Sequence, residues 1–204
     1  MDLATFFSVF AAIFVVELPD KTFIAALVLS TRYRPLAVWI GVGVAFGVQC
    51  LVAVSVGAVA TLLPETLVKA VTLVIFLVGA VVLVRTAPGA EAAEKEQEEE
   101  FEARAAEPRT FFTAMVTSFL VLFAAEWGDL SQLLTISFVT RFHDHVNVFL
   151  GAWAALLTVS GLAVLAGRVL LRHLRLSLLH YVGAAVCLTL ALVTLVEIVR
   201  LVVA

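Results

Sequence analysis

Six long apolar stretches occupy most of this chain, at Leu3–Leu29, Leu36–Leu62, Leu67–Val84, Phe111–Val139, Val146–Leu171 and Leu176–Val203. An α-helix needs about 20 such residues to cross the hydrocarbon core of a bilayer. No water reaches the backbone there, so each span must satisfy its own hydrogen bonds. The stretches are too long, and apolar on too many sides, for the alternating ~10-residue strands of a membrane barrel. They predict an all-α polytopic membrane protein with six transmembrane helices and the lipid bilayer as its surrounding. The composition agrees: 63% of the 204 residues are hydrophobic and 14% charged, against roughly 45–50% and ~25% in soluble domains. Those values exclude a disordered chain, a coiled coil and an ordinary soluble enzyme. A net charge of -3 with no basic stripe excludes a nucleic-acid partner.

Three connections are short, and one, His143-Asp144-His145 with its flanks, carries two histidines that read first as surface residues and second as an exit-side metal relay. The long connection, residues 87–109, is rich in Ala and Glu and predicts a solvated helix supported by pairs such as Glu91–Lys95 and Glu100–Arg104. Lys and Arg number nine on connections one, three and five and three on the opposite side. The positive-inside rule then places the acidic linker in the cytoplasm and both termini outside. Cys50 and Cys187 sit within apolar runs and read as buried small residues. The first residues lack the basic start of a signal peptide and read as the first membrane helix itself. The Ala/Val/Leu-rich composition suggests a bacterial cytoplasmic membrane.

Spans one and four carry related motifs. The first is Glu17-Leu18-Pro19-Asp20-Lys21-Thr22 and the second Glu126-Trp127-Gly128-Asp129-Leu130-Ser131, offset by 109 residues. Spans two and five align at an offset of 110 through Gly41 and Gly151, and Ala45 and Ala155. This pattern predicts a duplicated three-helix unit: residues 1–86, a linker over 87–109, and residues 110–204. Three is odd, so the second unit inserts upside down, giving two inverted three-helix repeats.

Glu17 lies 14 residues past Leu3, about 21 Å along a helix, near the bilayer midplane. Charges at that depth cost a few kcal/mol each. Each pair of acids is spaced i, i+3, so both share one helical face. Together Glu17, Asp20, Glu126 and Asp129 present four carboxylates that require cations, protons or both. Pro19 and Gly128 interrupt the helices between the acids and free backbone carbonyls. Thr22, Ser131, Gln132 and Gln49 supply further oxygens at depth, and Trp127 is placed to wall the site. An all-oxygen set suits hard ions such as Ca²⁺, Mn²⁺ and Mg²⁺. Four negative charges exceed what one divalent ion neutralises, so protons compete for the same oxygens. That competition is the chemical requirement for antiport. The bland reading, a buried Glu–Lys pair that only fixes helix packing, loses force because the acids recur in span four without the lysine.

The doubled motif resembles Glu-x-Gly-Asp-(Lys/Arg)-(Thr/Ser) of the transmembrane protein 165/Gdt family, whose members are cation/proton antiporters moving Mn²⁺ and Ca²⁺. Bacterial members are similar to Mn²⁺ exporters, and eukaryotic ones supply the Golgi lumen. The resemblance covers essentially the whole chain. It implies that Glu17, Asp20, Glu126 and Asp129 bind the transported cation, that Thr22 and Ser131 assist, and that protons are the counter-ion, with no permanently bound cofactor. Two positions depart from the pattern. Pro19 stands where Gly is usual, and Leu130 where Lys or Arg is usual, which leaves the second half without the basic partner that Lys21 gives the first.

Two rivals stay open on the residues alone. An amino-acid exporter on a similar scaffold would need sites for an amine and a carboxylate, and Lys21 is the one deep cation. An intramembrane aspartyl protease would need Gly at position 126, where this chain has Glu. Elsewhere, Glu197 is expected to meet the outer interface and pair with Arg200 or water. Trp39, Trp153 and Tyr33 read as interface or packing aromatics. Gly41, Gly43, Gly47 and Gly57 read as close helix contacts.

Overall fold

The computed structural model describes residues 3–18, 20–104, 110–173 and 176–203. These residues form α1 (Leu3–Glu17), α2 (Lys21–Arg32), α3 (Pro35–Ala60), α4 (Glu65–Thr86), α5 (Ala90–Arg104), α6 (Phe111–Ala125), α7 (Leu130–Phe142), α8 (His145–His173) and α9 (Leu176–Val203), with a 3₁₀ turn at Ala87–Gly89. No strand occurs among the described residues. Four helices, α3, α4, α8 and α9, are each long and apolar enough to cross a membrane. The first and fourth expected spans are not continuous. Each is a pair of half-helices, α1 with α2 bent by 70° and α6 with α7 bent by 73°. Counting each bent pair once gives the six spans that the apolar stretches predict.

The helix ends follow local chemistry. Pro35 occupies the first turn of α3, where its missing N–H costs nothing. The Thr110 hydroxyl accepts from the Thr113 amide and caps α6. His143 closes α7 in the left-handed conformation, at φ 53°. The Asp144 carboxylate accepts from the amide and side chain of Asn147 and starts α8. These bonds hold its carboxyl below the usual range. Asp144 is therefore a helix cap, which removes it from the suggested His-Asp-His relay.

Small residues set how closely the helices approach. A Cβ on Gly41 of α3 would strike the backbone carbonyl of Met115 on α6. A Cβ on Gly151 of α8 would stand 2.7 Å from the backbone carbonyl of Phe6 on α1. Helices α3 and α8 cross in antiparallel register: the Trp39 indole donates to the Leu157 carbonyl at 3.0 Å, and the Trp153 indole to the Gly43 carbonyl at 2.8 Å. Both tryptophans thus serve packing, with their N–H groups satisfied on a neighbouring helix. Helix α4 packs along α9. The half-helices α1, α2, α6 and α7 are held on the inside by α3 and α8.

The linker helix departs from the expectation of a solvated segment. Phe101 is buried against the bundle, Arg32 pairs with Glu102 at 3.3 Å, and the Glu91 carboxylate accepts from the Ser177 hydroxyl at 2.9 Å. Glu91 thus engages the start of α9, and its own amide with the hydroxyl and amide of Ser177 holds its carboxyl below the usual range. One apolar residue, placed four residues after Gln97, is enough to dock a helix that is otherwise charged. Similarly, Glu197 pairs with Arg141 at 2.9 Å and with Lys69 at 3.9 Å, in place of the expected Arg200 or water. Lys69 in turn meets Glu65 at 2.8 Å.

Gly41→Ala is expected to cost about 3 kcal/mol, the upper end for overpacking against a rigid neighbour. Gly89→Ala, which meets nothing within 4 Å, is expected to leave stability unchanged. Thermal unfolding in detergent compares the two.

Candidate cation site

The two breaks bring the motif acids together. Glu17 is the last residue of α1 and Glu126 the residue that ends α6. Asp20 and Asp129 stand at the N-caps of α2 and α7. One oxygen from each of the four carboxylates lies within 4.8 Å of the others. Glu17 is fully buried and Glu126 is 2% exposed, while Asp20 and Asp129 are half-buried. Both oxygens of Glu17, one oxygen of Glu126 and one of Asp129 lack a hydrogen-bond partner among the described residues. Buried polar atoms of native proteins are nearly always paired. Four unpartnered carboxylate oxygens from three of these acids leave buried negative charge that a cation or protons can neutralise.

The residues between the acids explain how the break is held. Gly128 has φ +75°, a left-handed conformation that glycine adopts without strain. Gln132, one turn into α7, staples the gap: its Nε2 donates to the Glu126 carbonyl at 2.7 Å, and its Oε1 accepts from the Gly128 amide at 3.2 Å. Its side-chain oxygen is thereby engaged with the backbone, whereas the sequence suggested a further oxygen for the site. Gln49 is also structural in its amide, which donates to the Phe123 carbonyl one turn before Glu126 and ties α3 to α6. The Asp20 carboxylate accepts from the Lys21 amide at 2.7 Å. Pro19 lies outside the described residues.

Around the quartet, the buried hydroxyls of Thr22 and Ser131 stand beside the Glu17 carboxylate, and Thr22 also faces Glu126. Trp127 is corrected: it is 58% exposed and packs edge-on against Phe123 at 5.3 Å, on the outside of the bundle instead of walling the acids. The largest surprise is Lys21. Its ammonium sits 3.3 Å from Asp129 of the other half, so the second half does not lack a basic partner. A single lysine crosses from one motif to the other. Leu130, at the position of the missing base, instead packs against Gly79 of α4.

Two cavities flank this centre. One, of about 220 Å³, reaches Asp20, Lys21 and Asp129 and opens toward the linker helix and the start of α9. The other, of about 430 Å³, lies at the opposite end between α4, α7 and α9 and contacts none of the four acids. Its floor is crossed by the Arg141–Glu197–Lys69 ion cluster. Phe76 and Phe138, fully buried with ring centroids 6.4 Å apart, fill α4 and α7 between that cavity and the quartet. These ion pairs and the lining of the first cavity were not anticipated. Their members lie far apart in sequence, and isolated charges near span ends look alike until the helices are packed.

Two bent half-helix pairs thus bring four carboxylates together in a helical membrane protein. The chain belongs to the GDT1 family of divalent cation/proton antiporters, whose family model matches residues 5–91 and again 114–200. The second match begins 109 residues after the first, the offset between the two motifs. The family is one of transporters, which removes the protease reading. The chain is 30% identical to protein PAM71, chloroplastic, of Arabidopsis thaliana over 95% of this chain and 57% of that protein. It is 30% identical to GDT1-like protein 1, chloroplastic, of Oryza sativa subsp. indica over 98% of this chain and 64% of that one. It is 32% identical to GDT1-like protein sll0615 of Synechocystis over 83% of this chain and 89% of that one. The chain thus spans about three-fifths of the chloroplastic relatives. No solved structure matches it.

Gly128→Ala has room for its methyl group, so its cost is conformational, about 1–2 kcal/mol for an L-residue held left-handed. Thermal unfolding in detergent is expected to show that loss without the steric penalty of Gly41→Ala.

Proposed function

We propose that the chain exchanges a divalent cation, Mn²⁺ first and Ca²⁺ second, for protons by alternating access at Glu17, Asp20, Glu126 and Asp129. The observation that carries this reading is the convergence of four carboxylates, with unpartnered oxygens, at the breaks of two half-helix pairs. A divalent ion neutralises part of that charge, and Lys21 one unit more. Protons supply the remainder and replace the ion when it leaves, which couples the two fluxes. Hard oxygen donors fit Mn²⁺ and Ca²⁺ and carry no feature that selects a softer metal. Thr22 and Ser131 are proposed to complete the coordination from either half.

Residues 1–86 and 110–204 are proposed to be inverted repeats joined by the linker 87–109. Support comes from matched packing between them: Gly41 of the first half on Met115 of the second is answered by Gly151 of the second half on Phe6 of the first, and both half-helix pairs bend alike. With the cavity at the linker helix reaching Asp20 and Asp129, and the far side filled by Phe76 and Phe138, the arrangement reads as the state open to the linker side. The excess of basic residues on that side supports a cytoplasmic linker and export across a bacterial cytoplasmic membrane.

Reconstituted liposomes with an internal pH dye test the exchange. Under an imposed Mn²⁺ or Ca²⁺ gradient, protons are expected to move in the opposite direction, and Asp20→Asn/Asp129→Asn is expected to abolish both fluxes. Cation flux without proton movement would remove the exchange mechanism, and normal flux in the double variant would remove the site. Lys21 competes with the ion for Asp129, so Lys21→Met is expected to tighten Mn²⁺ binding about tenfold, or 1.4 kcal/mol. Equilibrium Mn²⁺ titration of the purified protein measures it.

A further inference from the structure

Helix α5 carries seven glutamates, and they are not equivalent. Glu91 is held by Ser177 and Glu102 by Arg32. Ala90, Glu94, Gln97 and Phe101 recur at helical spacing on the face that meets the bundle; Ala90 and Phe101 are buried, Glu94 and Gln97 half-buried. Of the seven, Glu94 is the one that lines the cavity leading to Asp20 and Asp129. Gln97 lines it one turn further along, and His180 of α9 lines it as well. The anchors at both ends of α5 hold this face in place. A carboxylate, an amide oxygen and an imidazole therefore line one water-accessible space with Asp20 and Asp129 of the quartet. Its volume of about 220 Å³ leaves room for an ion with its water shell.

We propose that Glu94, Gln97 and His180 form a second divalent-cation subsite, an outer station on the linker side through which the hydrated ion passes to or from the quartet. The linker is then part of the transport path and not only a tether. The chemistry of the three donors gives the station a preference. Carboxylate and amide oxygens hold any hard divalent ion, but imidazole is a ligand for transition metals and a poor one for Ca²⁺. The quartet, all oxygen, has no such discrimination. Selection of Mn²⁺ over Ca²⁺ is assigned to the station and specifically to His180. The inference rests on the antiporter reading only in taking a divalent cation as the ion that enters the cavity.

Mn²⁺ bound to the purified full-length protein, counted by the loss of the free-ion EPR signal, provides the direct test. Asp20→Asn/Asp129→Asn is expected to lose the tight class and keep a weaker one. Adding Glu94→Gln and His180→Gln is expected to remove that weaker class. In liposomes, Glu94→Gln alone is expected to raise KM for Mn²⁺ about tenfold with kcat unchanged, the low end of what a charged cleft does to local ion concentration. His180→Gln is expected to raise KM for Mn²⁺ and leave KM for Ca²⁺ as it was. Glu99→Gln, on the exposed side of the same helix, is expected to change neither. Absence of a weaker class, its survival in the quadruple variant, or a Glu99→Gln effect equal to that of Glu94→Gln would overturn the proposal. Wild-type transport by Asp20→Asn/Asp129→Asn would instead overturn the quartet's role, while the binding count still decides the outer station.

Discussion

The four carboxylates of this protein gather where the backbone of two helices is interrupted. A continuous helix satisfies its own N–H and C=O groups and offers a cation nothing but side chains pointing outward. Two interrupted helices behave differently. Each break places one acid at the end of an incoming half-helix, Glu17 or Glu126, and one at the N-cap of the outgoing half, Asp20 or Asp129. Bends of 70° and 73° turn the two ends toward each other. Everything else in the bundle serves to hold those bends. Gln132 bridges one of them, and Gln49 ties α3 to the helix leading into it.

The surrounding helices follow from that requirement. Half-helices cannot span the bilayer as independent rods, so they must be clasped by helices that can. Without a hydrophobic drive between helices in lipid, the clasp depends on close van der Waals contact. Gly41 and Gly151 permit it by letting α3 and α8 meet the backbones of α6 and α1. The crossing of α3 with α8 is fixed in register by two indole N–H groups, each donating to a carbonyl on the facing helix. The long helices thus form a clasp around the interrupted ones, an arrangement in keeping with the alternating access proposed above.

Charge is distributed with the same economy. Four acids face one lysine, and that lysine reaches across from its own motif to the other half. A motif with a base in both halves would place two ammonium groups near the acids. Here Leu130 takes the second position and packs on Gly79, which leaves the four acids with a larger excess of negative charge. At the far end, Arg141, Glu197, Lys69 and Glu65 pair with one another. That cluster joins α4, α7 and α9 beside a cavity that touches none of the four acids.

The helical membrane class, the apolar runs that become spans and the four acids that cluster were legible in the chain itself. Hydrophobic run length measures the bilayer directly, and a 109-residue offset survives without any knowledge of packing. Pro19 and Gly128 marked where the helices would be interrupted. Partner choice was not legible. Lys21 with Asp129, Arg141 with Glu197, and Trp127 turned to the outside all depend on how helices distant in sequence face one another, which no local pattern encodes. The linker helix made the same point: its charge predicted solvation, yet Phe101 docks it and thereby aims Glu94 at the cavity. Sequence by itself determined what crosses the membrane and which charges are buried there, because transfer into lipid is a property of each segment alone. The tertiary structure decided which charge meets which and which acids a cavity reaches, because those are properties of pairs of surfaces brought together only by folding.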